Sequence, residues 1–201
     1  MDPNAGKKNP VLHHVNLKTP RLQEMLDWYK TVIGTVPLHQ FEGGAWASND
    51  EANHRIALIT SPEVRDDPEK LMRAGMHHMA FEYDTLDDLL INIERLDGLG
   101  IEPHLMLNHG MTTSFYFLDP DGNSVELQSD NFGDWNASSE FVRTSEDFKA
   151  NPIGAPICAA SMLAARRSGL SIEEVQKNSY AGKYPPSRSM DPRLPFPIDL
   201  G

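Results

Sequence analysis

The chain has 201 residues and carries 18 Lys plus Arg against 29 Asp plus Glu, a formal charge of −11, with 39% hydrophobic and 23% charged side chains. That length suits one domain or two half-size modules around a core, and the acidity argues against a general nucleic-acid binder, which needs a basic face for phosphate. No apolar run approaches the roughly 18 residues of a membrane span, MDPNAGKKNP has no apolar signal region, and the single Cys158 cannot form an internal disulfide, so a cytoplasmic protein is expected.

In chain order, residues 1–10 read as a flexible N-terminal arm. Leu12-His13-His14-Val15-Asn16-Leu17 is a short strand-like run. Thr19 and Pro20 suit a helix start. Leu22, Met25, Leu26, Tyr29, Val32 and Ile33 then recur at helical spacing and Gly34 ends the stretch. Strands follow near 36–41, 44–48 and 54–60. A charged connector over 62–75 leads to Met76-His77-His78-Met79-Ala80-Phe81, a second His-His strand 64 residues after the first. Thr85 and Asp88 form a capping pair for a helix striped by Leu86, Leu89, Leu90, Ile93 and Leu96, closed by Gly98 and Gly100. Strands near 101–106, 113–118 and 124–129 complete the second unit, with Asp119-Pro120-Asp121-Gly122 as a tight turn.

The pattern βαβββ therefore occurs twice, over 11–61 and 76–130, and predicts an α+β fold of two modules forming an open cleft. Residues 131–201 differ in composition. All eight histidines and the whole charge excess precede them. They promise one helix around 160–180 and are too poor in apolar residues to fold alone, so this extended, helical tail should wrap the core or a second subunit and contribute to a homo-oligomer.

Side chains alternate along a strand, so each His-His pair splits between the two faces. His13 shares parity with Val11, Val15 and Leu17, a set that should pack under a helix, and His77 goes with Met79 and Phe81. Both read as structural. His14 and His78 fall on the smaller, more polar faces, as does Glu126, which alternates with Val125 and Leu127. Two equivalent histidines and a carboxylate could converge there. Taken singly, a strand histidine is more often a hydrogen-bonded structural residue than a ligand.

The stretch His109-Gly110-Met111-Thr112-Thr113-Ser114-Phe115-Tyr116-Phe117-Leu118-Asp119-Pro120-Asp121-Gly122-Asn123-Ser124-Val125-Glu126 resembles the signature of the type I extradiol ring-cleavage dioxygenases of the vicinal oxygen chelate (glyoxalase/bleomycin resistance) superfamily. Only the first signature element departs, with Leu107 where a small or branched residue is usual. The resemblance covers about residues 10–130 and is to the one-domain, biphenyl-diol-cleaving members. It implies a metal held by His14, His78 and Glu126, with His109 and Tyr116 assisting catalysis. His54-Arg55-Ile56-Ala57-Leu58 is similar to the strand carrying the family's acid–base histidine, which makes His54 a catalytic candidate. Alternation puts His54 and Ala57 on opposite faces, so His54 needs a bulge or a strand end.

Two imidazoles and one carboxylate on one face of an octahedron suit ferrous iron, Fe(2+), and Mn(2+) favours the same ligands. The implied function is extradiol cleavage of a catechol such as 2,3-dihydroxybiphenyl, with both atoms of dioxygen inserted, in aromatic hydrocarbon catabolism. The partners are then a catecholic substrate and dioxygen, with neither nucleic acid nor membrane. Two other readings stand beside it: a metal-dependent lyase, isomerase or transferase of the same superfamily, and a metal-free aromatic-binding module. The first often draws a further protein ligand from the last strand of the first module, where the repeat aligns Ala57 with Glu126.

Overall fold

The computed structural model describes residues 8–198, so part of the expected N-terminal arm lies outside the described residues. The chain divides into two compact units, Met1–Asp66 and Asp67–Gly201.

The first unit contains β1 (Val15–Lys18), α1 (Leu22–Ile33), β2 (Val36–Phe41), β3 (Gly44–Ser48) and β4 (Ile56–Ile59). Its sheet runs β1-β4-β3-β2, with β1 and β4 parallel and the other pairs antiparallel. The apolar stripe of α1 is buried at Met25, Leu26, Tyr29, Val32 and Ile33, and Gly34 closes the helix in the left-handed conformation at φ 76°. The start of α1 differs from expectation. Arg21, not Thr19, is the N-cap residue and makes no side-chain cap. The Thr19 amide still extends the sheet by donating to the Ile59 carbonyl, and its hydroxyl accepts from the Arg21 amide, which leaves Pro20 outside the helix. β1 also begins later than expected. Val11 is 89% exposed, not packed under the helix with Leu17, because the strand forms only from Val15.

The second unit contains β5 (His78–Glu82), α2 (Leu86–Asp97), β6 (Leu105–Asn108), β7 (Thr112–Leu118) and β8 (Ser124–Asp130). These are followed by α3 (Trp135–Thr144), α4 (Glu146–Ala150), β9 (Ala155–Pro156), α5 (Ala159–Arg167) and α6 (Ile172–Tyr180). The sheet order is β5-β8-β7-β6-β9, again with a parallel first pair. Thr85 caps α2 through the Asp88 amide, and all five stripe residues are buried. Between β7 and β8 the Asp119 carboxylate accepts from the amides of Asp121 and Asn123, which tightens the turn. β6 starts at Leu105, not 101. The Ile101 amide is spent on the Leu96 carbonyl, Pro103 has no amide to donate, and the ladder to β7 opens only with His104 donating to Tyr116.

The tail is more ordered than one helix. Gly169, at φ 101°, and a capping box between Ser171 and Glu174 split the expected 160–180 helix into α5 and α6. α5 lies against α2, where Arg166 pairs with Asp87 and Arg167 with Glu94, and it buries Met162 and Leu163. β9 adds a fifth strand at the β6 edge. That docking requires Gly154, whose φ is 93° and where a Cβ would sit 2.0 Å from the Asn108 carbonyl oxygen.

Candidate functional site

His78 opens β5, and alternation sends Met79 into the core while His78, Ala80 and Glu82 take the other face. In the parallel ladder Ala80 lies beside Glu126. On β8, Val125 and Leu127 are fully buried toward the helix side, and Glu126 is 5% exposed. Its Oε2 lies 3.0 Å from His78 Nε2.

Tyr116 is the cross-strand neighbour of Glu126 and packs edge-on against the His78 ring, with centroids 5.2 Å apart. His109 follows β6, and its Nε2 lies 2.8 Å from the Tyr116 hydroxyl while its Nδ1 lies 2.6 Å from the Ile153 carbonyl oxygen. A carbonyl only accepts, so Nδ1 carries the proton. In the neutral ring Nε2 then accepts from the Tyr116 hydroxyl. Four of the six sequence-predicted site residues, His78, Glu126, Tyr116 and His109, thus form one cluster within the second unit.

Burial sets the protonation states in this cluster. It raises the Tyr116 phenol, and the neighbouring Glu126 charge and hydrogen bond raise it further, with Ser114 opposing. Burial lowers His109, against the opposing pull of Glu126 and the Ile153 carbonyl, with His78 adding to the lowering. Burial would raise Glu126, but the His78 ring nitrogen beside it, the Ser114 hydroxyl and the neighbouring His109 bring it below the ordinary carboxylate range. The resting cluster is an ionised carboxylate, a neutral phenol and a neutral imidazole.

The other two predicted residues lie in the first unit. His14 precedes β1 instead of sitting inside it and is exposed. His54 lies two residues before β4, the strand-end position that alternation required. The His14 and His54 ring centroids are 4.2 Å apart, and His13, His14 and His54 can each present a nitrogen within 4.8 Å of the others. Burial lowers the His54 pKa, and the fields of His14 and His13 lower it further. His13 meets His14 through their Nδ1 atoms at 3.1 Å, and His77 meets His78 in the same way at 2.8 Å. The repeat thus extends to side-chain contacts. It also places Ala57 beside Asn16 in the first sheet, in the register that Glu126 holds beside Ala80 in the second.

Two features, one in each unit, were missed in the sequence. One is the aromatic group of His39, Phe41 and Trp46 on the β2–β3 hairpin, where Trp46 stacks on His54 at 6.0 Å and Phe41 and Trp46 are both exposed. The alternate spacing of His39 and Phe41 was its signal. The other is the Ile153 carbonyl, which no side-chain motif announces. The donors gathered in each unit are imidazole nitrogens or imidazole plus carboxylate, a set that suits a first-row divalent metal.

A family profile described as the Glyoxalase/Bleomycin resistance protein/Dioxygenase superfamily matches residues 11–127. Biphenyl-2,3-diol 1,2-dioxygenase 2 of Rhodococcus globerulus is 37% identical over 172 residues, covering 86% of this chain and 90% of the relative. Biphenyl-2,3-diol 1,2-dioxygenase 3 of the same organism is 33% identical over 174 residues, covering 87% and 91%. Among solved structures, a glyoxylase/bleomycin resistance protein/dioxygenase domain from Frankia sp. EAN1pec superposes with a TM-score of 0.51 at 20% identity, over 61% of this chain and 93% of that one. The last likeness speaks for the fold alone.

Proposed function

The chain belongs to the glyoxalase/bleomycin resistance protein/dioxygenase superfamily, and from that membership we propose that it is an extradiol dioxygenase that opens a catechol-type ring, of the 2,3-dihydroxybiphenyl kind, beside its two hydroxyls. The observation that carries the reading is the His78–Glu126 contact with Tyr116 and His109 hydrogen-bonded next to it. His14, His78 and Glu126 would hold Fe(2+), with Mn(2+) fitting the same donors. Bound ferrous iron supplies the electron-transfer chemistry that lets dioxygen react with a singlet catechol.

The protein's own groups then have separate tasks. Glu126 supplies one negative charge in a buried setting, so a divalent ion keeps a net positive charge that favours a catecholate. Tyr116 stays protonated and can turn its hydroxyl from His109 toward a developing oxyanion, and His109, held by the Ile153 carbonyl, accepts the proton otherwise. His54 is neutral near pH 7 because its pKa is lowered, so it can take a catechol proton and return it to a product oxygen. Exposed Trp46 and Phe41 beside it offer an apolar aromatic surface for a second ring. The lyase, isomerase or transferase members often draw a further ligand from β4, and the methyl group of Ala57 supplies none.

Anaerobic loading with ferrous iron, followed by air and either catechol or 2,3-dihydroxybiphenyl, tests the proposal. The expected result is stoichiometric oxygen uptake with a yellow ring-opened product. Iron binding without turnover on any member of a catechol panel would refute it.

A further inference from the structure

The C-terminal strap, residues 187–193, makes contacts that run from Glu102, Pro103 and His104 to His77. Arg188 pairs with Glu102 and donates to the Pro103 carbonyl at 2.6 Å. Met190 packs on the buried cluster of Leu105, Leu107 and Tyr116. The Asp191 amide donates to the His104 carbonyl, and the His104 Nδ1–H donates back to the Asp191 carbonyl. Arg193 takes a left-handed φ of 55°, rare for a residue with a side chain. Its amide donates to the Asp191 carboxylate. These contacts fix the Pro192 carbonyl 3.1 Å from His77 Nε2.

We infer that this strap, acting through His77, sets the ring tautomer of His78 and thereby opens His78 Nε2 for a metal ion. The Pro192 carbonyl can only accept, so His77 carries its proton on Nε2. A neutral imidazole has one N–H, which leaves His77 Nδ1 as an acceptor. The atom facing it at 2.8 Å is His78 Nδ1, which must therefore donate. In the neutral ring, the form that binds a metal ion, His78 Nε2 then has a bare lone pair facing a Glu126 carboxylate oxygen 3.0 Å away. Two acceptors facing each other with no proton between them are satisfied by a cation. In the opposite tautomer His78 would donate to Glu126 and close the same position. His77, unassigned by the functional reading, is thus a positioning residue, and a backbone carbonyl from the tail supplies the outer partner that ligating histidines usually require.

The inference rests on the reading of His78 and Glu126 as metal ligands, and two measurements keep the two apart. Nitrogen-15 NMR of the metal-free full chain should show His78 as the Nδ1–H tautomer. Anaerobic titration with Co(2+) should show affinity weakened about 10–100-fold in His77→Phe. His77→Gln keeps one donor and one acceptor and should recover part of the loss. An Nε2–H tautomer in the parent protein, or unchanged Co(2+) affinity in His77→Phe, overturns the inference while leaving the dioxygenase reading intact. If the parent chain bound no Co(2+) at all, the metal reading would fall, and the NMR result would still decide the tautomer.

Discussion

Tyr116 meets its proton acceptor His109 at 2.8 Å, so removing the hydroxyl removes its polar contacts and little packing. Tyr116→Phe should therefore keep its iron and lose about 10²–10³ in kcat, a size typical of losing one oxyanion donor, as read by oxygen uptake on iron-loaded protein. His54→Ala should likewise retain iron, measured by elemental analysis, but lose about 10²–10⁴ in rate. Glu126→Gln, by contrast, should fail to retain iron. His104 makes a stability prediction. Burial lowers its pKa below the ordinary imidazole value of 6.5, with Arg193 and His77 adding to the lowering and Asp191 opposing. The unfolded chain then binds more protons as pH falls through that value, so stability is full above it and declines below it. Thermal melts over pH 5–8, compared with His104→Gln, should show the slope flatten in the variant. At this scale, alternation and the repeat made His78 and Glu126 legible, since both depend only on parity along a strand. The Ile153 and Pro192 carbonyls were illegible because a backbone acceptor leaves no mark in composition.

Among the elements, those with a strong period were readable to the residue. The C-terminal end of α1 and both β2 and β3 fall where the sequence put them, because each is bounded by a glycine or a tight turn. β6 and the start of α1 moved because proline and a competing amide bond overrode the apolar pattern. β9, two residues long, has no period to detect, yet it holds the segment that offers its carbonyl to His109. Gly154→Ala should undock it. A side chain at φ 93° and 2.0 Å from a carbonyl oxygen cannot be seated, so a loss of at least about 1–3 kcal/mol is expected. It should appear as a lower Tm together with lower turnover. Leu90→Ala tests the α2 core in the same way. The side chain is fully buried and its truncation should cost about 2–5 kcal/mol in denaturant melts.

At the level of the whole chain, the sequence disclosed the duplication but not how far the tail belongs to the second unit. Arg166 and Arg167 reach Asp87 and Glu94 on α2, and Asn108 is held by Gln176 and Ser179 of α6. Those contacts join residues some 70–80 positions apart, which local composition cannot reveal. A chain ending at residue 130 should therefore expose the outer face of α2 and the open edge of β6. It should lose its cooperative melt and bind a hydrophobic dye, while retained two-state melting would contradict this account.

The unequal rung occupied by Ala57 in one sheet and Glu126 in the other gives the duplication a direction. A synthetic tandem of two second units would carry an acid in both copies, and a tandem of two first units would carry none. Ala and Glu codons differ by as little as one base, so related chains of the same architecture can gain or lose a carboxylate at this rung by a single substitution while the scaffold stays as it is.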